Sequence, residues 1–581
     1  MRNRLPFLVV LFALLQSCSQ DNKQYQIRGI ISDPSENVIE IDGLSIPVSE
    51  DGEFIFVKEI ERPVFLDISY ANLEWSVFLL PESSLDIQIN GGSLDAIEYK
   101  GDLIPSNTFL LGKVPVSQEV NDFLNQNWVQ IHQQDQEDYI STIDSMKGRF
   151  MEDLPADEAF VKAWKTDVNF AFNKIMLYYP RNHFYYTGEK VELSDESISY
   201  IKVPEVDTMA FFDLPSYKDF AEDWIDYKSE NLREGKTSSK HYNLMKMDAV
   251  SRLIPAIFTS QFLRDYWYAE YLKEHIENNG LSNSQPYIKE FEEACQTDTI
   301  AREMQNYLTS LRDSRADHEV EIYKTDNSFN LEAHIIKPGD ILDKEKRPAI
   351  VIFHGGGWNS GNPTWAFEKA KHFRDLGMVA IAAQYRLCNV HDITAIESMS
   401  DARDLIMWMR QHSDSLGIDP DHIAAYGWSA GAHLVSSAAI FSESIPEKAV
   451  NSIPDAMILI SPAVSLPKGS GWEGWKFNVF GANTTVSSAN PVEHVRLGLP
   501  PTIILQGRDD TVTPLEGVQA FHDQMLTHGN HCELFIYDGV GHLFTPNTMP
   551  DNREPHPDKD VQRKAYDQAD AFLKKLGYIK K

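Results

Sequence analysis

The chain has 581 residues, 42% of them hydrophobic and 24% charged, which excludes wholesale disorder, a collagen and a polytopic membrane protein. At about 150 residues per domain, it is long enough for two or three separate cores. Lys and Arg total 53 against 86 Asp and Glu, a net charge of −33, which repels phosphate backbones and makes nucleic acid a poor partner.

Arg2 and Arg4 precede an apolar run over 5–15, too short for the ~20 residues that span a bilayer but suited to the core of a signal peptide. Export is the expectation. The following Leu15-Gln16-Ser17-Cys18 resembles a bacterial lipobox. The resemblance implies removal of a signal peptide over 1–17, lipidation of Cys18, and a membrane-anchored lipoprotein in the periplasm or on the cell surface. Of four cysteines, Cys295, Cys388 and Cys532 then remain, an odd number that excludes a disulfide framework. No C-x-x-C pair and no Cys/His cluster with zinc spacing occurs, so neither thioredoxin chemistry nor a zinc site is expected.

From 25 to about 90 the apolar residues alternate, as in Glu53-Phe54-Ile55-Phe56 and Leu85-Asp86-Ile87-Gln88-Ile89, with turns at Glu50-Asp51-Gly52 and Asn90-Gly91-Gly92. Short alternating strands at this spacing predict a small β-sandwich over 18–100. The segment is similar to the β-domain at the front of many Bacteroidetes-type lipoproteins. Over 101–316 the period becomes helical: Phe160, Trp164, Val168, Phe172 and Ile175 stand three or four apart. Such a stripe predicts a helical domain with an aromatic core, and Asn279-Gly280 predicts a helix end.

From 317 to 581 the texture changes again. Apolar runs at 348–353, 378–383, 422–426, 456–460, 502–505 and 532–537 alternate with helical patterns such as 365–376 and 396–410. This predicts an α/β domain around a parallel sheet buried on both faces.

Four motifs follow strands of that region in order. Gly427-Trp428-Ser429-Ala430-Gly431 lies between a strand and a helix, the setting in which flanking glycines allow a strained turn that exposes a serine hydroxyl. His354-Gly355-Gly356-Gly357-Trp358 follows the strand 348–353. Its glycines let backbone N–H groups face a developing oxyanion, with Gly356, Gly357 and Ala430 as the expected donors and His354 as a brace for the loop. Arg508-Asp509-Asp510 and Asp538-Gly539-Val540-Gly541-His542 place titratable groups at the carboxyl ends of later strands, where open α/β sheets bind ligands.

These motifs, with Tyr385-Arg386-Leu387 and Pro500-Pro501-Thr502, resemble α/β-hydrolases of the hormone-sensitive-lipase-like and carbohydrate acetyl or feruloyl esterase type. The resemblance covers somewhat under half the chain. It implies an α/β-hydrolase fold behind a β-sandwich and a helical domain, the catalytic residues Ser429, Asp510 and His542, and Asp510 in preference to Asp509 as the acid. It also implies a serine carboxylesterase acting on short acyl, acetyl or feruloyl, groups on a small-molecule or oligosaccharide ester, with no metal and no cofactor. A prolyl-oligopeptidase-like peptidase shares triad and fold but normally carries a β-propeller, and a catalytically inactive binding lipoprotein would keep the fold alone. Both stay open at this point.

Overall fold

The computed structural model describes residues 24–113, 115–194, 201, 206–233, 242–326, 329–341, 345–391, 393–441, 451–467, 476, 479–481, 484–549 and 555–579. The signal peptide, Cys18 and nearly all of the 469–477 segment lie outside these residues.

The alternating N-terminal segment forms strands β1 (Gln24–Ile31), β2 (Val38–Ile41), β3 (Leu44–Pro47), β4 (Glu53–Glu59), β5 (Val64–Tyr70), β6 (Leu73–Leu79), β7 (Ser84–Ile89) and β8 (Ile97–Gly101). They make two four-stranded sheets, in the orders β4-β1-β7-β8 and β3-β2-β5-β6. Alternation decides the packing: Ile27, Phe54, Phe56, Leu66, Ile68, Leu85 and Ile87 all enter one core, each worth about 1.5–3 kcal/mol of buried apolar surface. The pairing is antiparallel except between β1 and β7, which run parallel.

Helices then run from Ile104–Leu110 to Asp298–Ser314. Two compact units divide the chain differently from the three domains expected. One combines residues up to 177 with 194–222, and the other combines 178–193 with everything from 223 onward. The later helices therefore share a unit with the α/β sheet. Gly280 does break a helix, as Asn279-Gly280 predicts, at φ 80° and ψ 166°, but a second helical stretch begins at once and the pair spans Gln261–Ala294.

The sheet of the second unit has eight strands: β9 (Glu319–Asp326), β10 (Phe329–Ile336), β11 (Arg347–Phe353), β12 (Val379–Ala383), β13 (Ile418–Trp428), β14 (Ala456–Ile460), β15 (Thr502–Gly507) and β16 (Cys532–Tyr537). Their order is β16-β15-β14-β13-β11-β12-β10-β9. The six strands expected to form a parallel sheet do so, and two strands that no apolar run signalled extend it by antiparallel pairing. β11 to β16 are parallel where they pair, but β10 runs antiparallel to β12, and β9 antiparallel to β10. Edge strand β9 (Glu-Val-Glu-Ile-Tyr-Lys-Thr-Asp) is mostly exposed, so its apolar content is too low to signal a buried strand.

β11, β12, β14 and most of β13 are buried, one core on each face. Helix Ala430–Ile440 is buried along its whole length. Because β11, β12, β13, β14, β15 and β16 run the same way, their carboxyl ends share one edge. All four motifs emerge there.

Candidate active site

Ser429 caps helix Ala430–Ile440 at the end of β13 with φ 52° and ψ −121°, a conformation that non-glycine residues adopt only when the surroundings over-determine it. The flanking glycines explain how it is held. A Cβ on Gly427 would lie 2.4 Å from the Gly431 carbonyl oxygen, and one on Gly431 would lie 2.1 Å from the Phe353 carbonyl oxygen. Strand, turn and helix thus approach more closely than any side chain allows. The Ser429 N–H donates to the Ile460 carbonyl at 3.0 Å, which fixes the turn on β14.

The structure brings Ser429, His542 and Asp510 together. Ser429 Oγ stands 3.2 Å from His542 Nε2, and His542 Nδ1 stands 2.9 Å from Asp510 Oδ2 and 3.2 Å from Oδ1. The Asp510 side chain is fully buried. Burial alone would raise its pKa, but the His542 imidazole and the N–H and hydroxyl of Thr513 outweigh that and hold the carboxyl below its usual value. Asp509 is exposed and turns elsewhere, accepting from Asn547 Nδ2 at 2.8 Å.

Sequence reasoning missed the group that holds the acid. The Thr513 N–H donates to Asp510 Oδ1 at 2.7 Å and its hydroxyl to Oδ2 at 2.9 Å, while the Val512 N–H reaches Oδ1 at 3.0 Å. Gln506 Nε2 adds a bond to Oδ2 at 3.2 Å. The spacing Asp510-x-x-Thr513 before Pro514 was the available signal, since a carboxylate readily accepts from backbone N–H groups two and three residues on.

The glycine loop lies at the end of β11. Gly356 and Gly357 have φ of 111° and 61°, left-handed values that glycine adopts without strain. Among the described residues, the N–H groups of Gly356, Gly357 and Ala430 have no protein acceptor. His354 is buried, with Nδ1 2.7 Å from the Gly355 carbonyl, and its ring stacks on Tyr385 at 4.4 Å. The Tyr385 hydroxyl donates to the His354 carbonyl at 2.8 Å. Burial pushes the His354 pKa down to about 4, so it braces the loop as a neutral ring. A Cβ on Gly361 would fall 2.5 Å from its Nδ1, so the loop returns directly over it.

Arg386, of the Tyr-Arg-Leu motif, is structural: its guanidinium pairs with Asp401 at 2.8 Å and also bonds Asp326. Cys388 and Cys532 are buried, and Cys295 is free and partly exposed. Trp472, Trp475 and Phe477 lie outside the described residues.

Residues 340–455 match the family model described as BD-FAE. Among curated proteins, the chain is 27% identical over 205 residues to the probable carboxylic ester hydrolase LipM of Mycobacterium tuberculosis, covering 31% of this chain and 44% of that protein. It is 24% identical over 220 residues to the probable isoprenylcysteine alpha-carbonyl methylesterase ICME of Oryza sativa subsp. japonica, covering 34% of this chain and 52% of that protein. The chain thus spans about half the length of these curated relatives. Among solved structures, the apo form of Thermogutta terrifontis esterase 2 is 34% identical, with 46% of this chain and 97% of that chain covered and a TM-score of 0.41. The sheet order, the serine turn and these sequence relationships agree: the C-terminal part of the chain belongs to the α/β-hydrolases of the esterase type.

Proposed function

We propose that the protein is a serine carboxylesterase that removes short acyl groups, acetyl or feruloyl, from carbohydrate. The observation that carries the reading is the continuous chain from Ser429 Oγ through His542 to Asp510, beside a loop of unspent backbone donors. Ser429 attacks the ester carbonyl while His542 Nε2 takes its proton, and His542 later returns that proton to the departing alcohol. Asp510 fixes the imidazole tautomer and stabilises the imidazolium. The N–H groups of Gly356, Gly357 and Ala430 receive the oxyanion, a type of contact worth roughly 3–4 kcal/mol when one donor is removed. Water then repeats the sequence on the acyl-enzyme.

The relatives support ester cleavage: LipM is described as a probable carboxylic ester hydrolase, and a further relative as esterase LipC of Mycobacterium tuberculosis. The peptidase reading is disfavoured because the described residues before β9 form two four-stranded sheets and helices instead of repeated propeller blades. We further propose that Cys18 carries a lipid that anchors the enzyme to a membrane in the periplasm or on the cell surface.

The test is the nucleophile. Ser429→Ala is expected to fold, to lose p-nitrophenyl acetate hydrolysis by several orders of magnitude because triad members act as a unit, and to escape labelling by a fluorophosphonate that modifies the wild type. Comparable turnover in the variant refutes the mechanism. In the wild type, p-nitrophenyl acetate should exceed the octanoate at least tenfold in kcat/KM, and a rate rising with chain length overturns the short-acyl assignment.

A further inference from the structure

A second concavity lies in the same unit as the triad, on the same edge of the sheet. Its volume is about 170 Å³, and its walls include Gly280, Tyr307, Arg315, Glu332, Trp365 and Gln384. That is below the ~300–1,000 Å³ of pockets that enclose a drug-sized ligand, so it suits a single ring. Gln384 directly follows β12 and the glycine loop follows β11, while Ser429 follows β13. β12, β11 and β13 are adjacent and parallel. At about 4.8 Å per strand, the β12 end stands roughly 10 Å from the nucleophile, on the side of the glycine loop.

The lining holds one guanidinium and two carboxylates, and one of its buried donors is unspent. Arg315 Nη1 is 3.5 Å from Glu332 Oε2, and Arg315 Nε is buried without a hydrogen-bond partner. Glu332 is 2% exposed and is steadied by His334 Nε2 at 3.2 Å and by the Ser282 N–H at 3.3 Å. A guanidinium only donates and a carboxylate only accepts. A carboxylate ligand would meet Glu332 and the exposed Glu277, and an ammonium would meet Arg315. A hydroxyl does both, accepting from Arg315 while donating to Glu332.

Trp365 stands at the rim, 49% exposed, with its ring 5.8 Å from that of His354 beneath the glycine loop. An exposed indole face beside buried donors and acceptors matches a pyranose, which has a C–H face and an edge of hydroxyls. Gly280 keeps the wall open, since a Cβ there would lie 3.0 Å from the Glu332 carboxylate.

We infer that this pocket seats a sugar ring of the alcohol part of the ester, with Trp365 as stacking platform and Arg315 and Glu332 as the hydroxyl-reading pair. The inference rests on the carbohydrate-ester reading and gives it a place. Gly280, Tyr307 and Arg315 precede β9, so part of the pocket wall comes from the helical region ahead of the sheet, while Glu332 comes from β10 of the sheet itself.

The experiment compares two substrates across the full-length wild type, Trp365→Ala and Arg315→Gln: p-nitrophenyl acetate and an acetylated xylo-oligosaccharide. Each variant should lose at least tenfold more kcat/KM on the oligosaccharide than on p-nitrophenyl acetate, mainly through KM. Deacetylated xylo-oligosaccharide should also inhibit wild-type cleavage of p-nitrophenyl acetate competitively, and Trp365→Ala should weaken that inhibition. If the wild type hydrolyses the oligosaccharide but both variants fall equally on both substrates, the pocket assignment is wrong and the carbohydrate-ester reading stands. If the wild type cleaves p-nitrophenyl acetate but neither hydrolyses the oligosaccharide nor is inhibited by its deacetylated form, both fail together.

Discussion

Trp358 and His433 tie the glycine loop to the helix that carries the nucleophile: the Trp358 indole N–H donates to His433 Nδ1 at 3.3 Å, and the rings meet edge to face at 5.0 Å. His433 Nε2 faces the Ala489 carbonyl at 2.8 Å. With Nδ1 accepting from the indole, Nε2 carries the proton and donates to Ala489. Trp358 itself has φ of 63°, so the contact also holds a strained backbone next to Gly357.

Trp358→Phe keeps an aromatic ring but leaves His433 Nδ1 buried without its donor. Such a loss costs about 1–3 kcal/mol. The variant should show that drop in chemical denaturation, together with a kcat deficit as Gly356 and Gly357 lose their register on the oxyanion. An unchanged kcat in a destabilised variant would show that the tie supports folding alone.

The acid is distinguished from its neighbour by a paired substitution. Asp510→Asn removes the charge that supports the His542 imidazolium and reverses one hydrogen bond, with an expected loss on the order of 10⁴ in kcat, the scale known for the serine-protease triad. Asp509→Asn, at an exposed position bonded to Asn547, should cost less than threefold. Steady-state kinetics on p-nitrophenyl acetate decides, and the reverse order would move the acid to Asp509.

Acid should destabilise the hydrolase unit through its buried histidines. Burial lowers the pKa of His275, His354 and His433 to about 4 each, against about 6.5 in an unfolded chain. Between those values the unfolded state binds protons that the folded state refuses, so stability falls as pH drops from about 6.5 towards 4 and is intact above that window. Three such groups give a slope approaching 4 kcal/mol per pH unit near the middle of the window. Urea titrations at pH 7, 6 and 5 measure it, and His354→Gln should remove about a third of the slope. A midpoint that does not move over this range would contradict the assignment of neutral, buried rings.

The anchor has its own test. If Cys18 carries the proposed lipid, Cys18→Ser should abolish incorporation of labelled fatty acid and shift the protein out of the membrane fraction. Membrane association that persists in the variant would rule out Cys18 as the attachment point.

What the linear sequence settled was the order and local setting of the chemistry. Ser429 between two glycines, three consecutive glycines after a strand, and Asp510 and His542 after later strands each report a backbone requirement of one short segment, and such requirements leave a mark in neighbouring residues. The strands β11 to β15 were legible for the same reason, since burial on both faces demands unbroken apolar runs, and the half-buried edge strand β16 was legible by its run Leu534-Phe535-Ile536-Tyr537. Contacts between distant segments leave no such mark. The family resemblance already favoured Asp510 over Asp509; only the fold decided that Thr513 and Gln506 hold that carboxylate and that His433 braces Trp358 from 75 residues away. The polar strand β9, the helices that share a unit with the sheet, and the meeting of Arg315, Glu332 and Trp365 were likewise invisible, because each depends on what a segment packs against and not on what it contains.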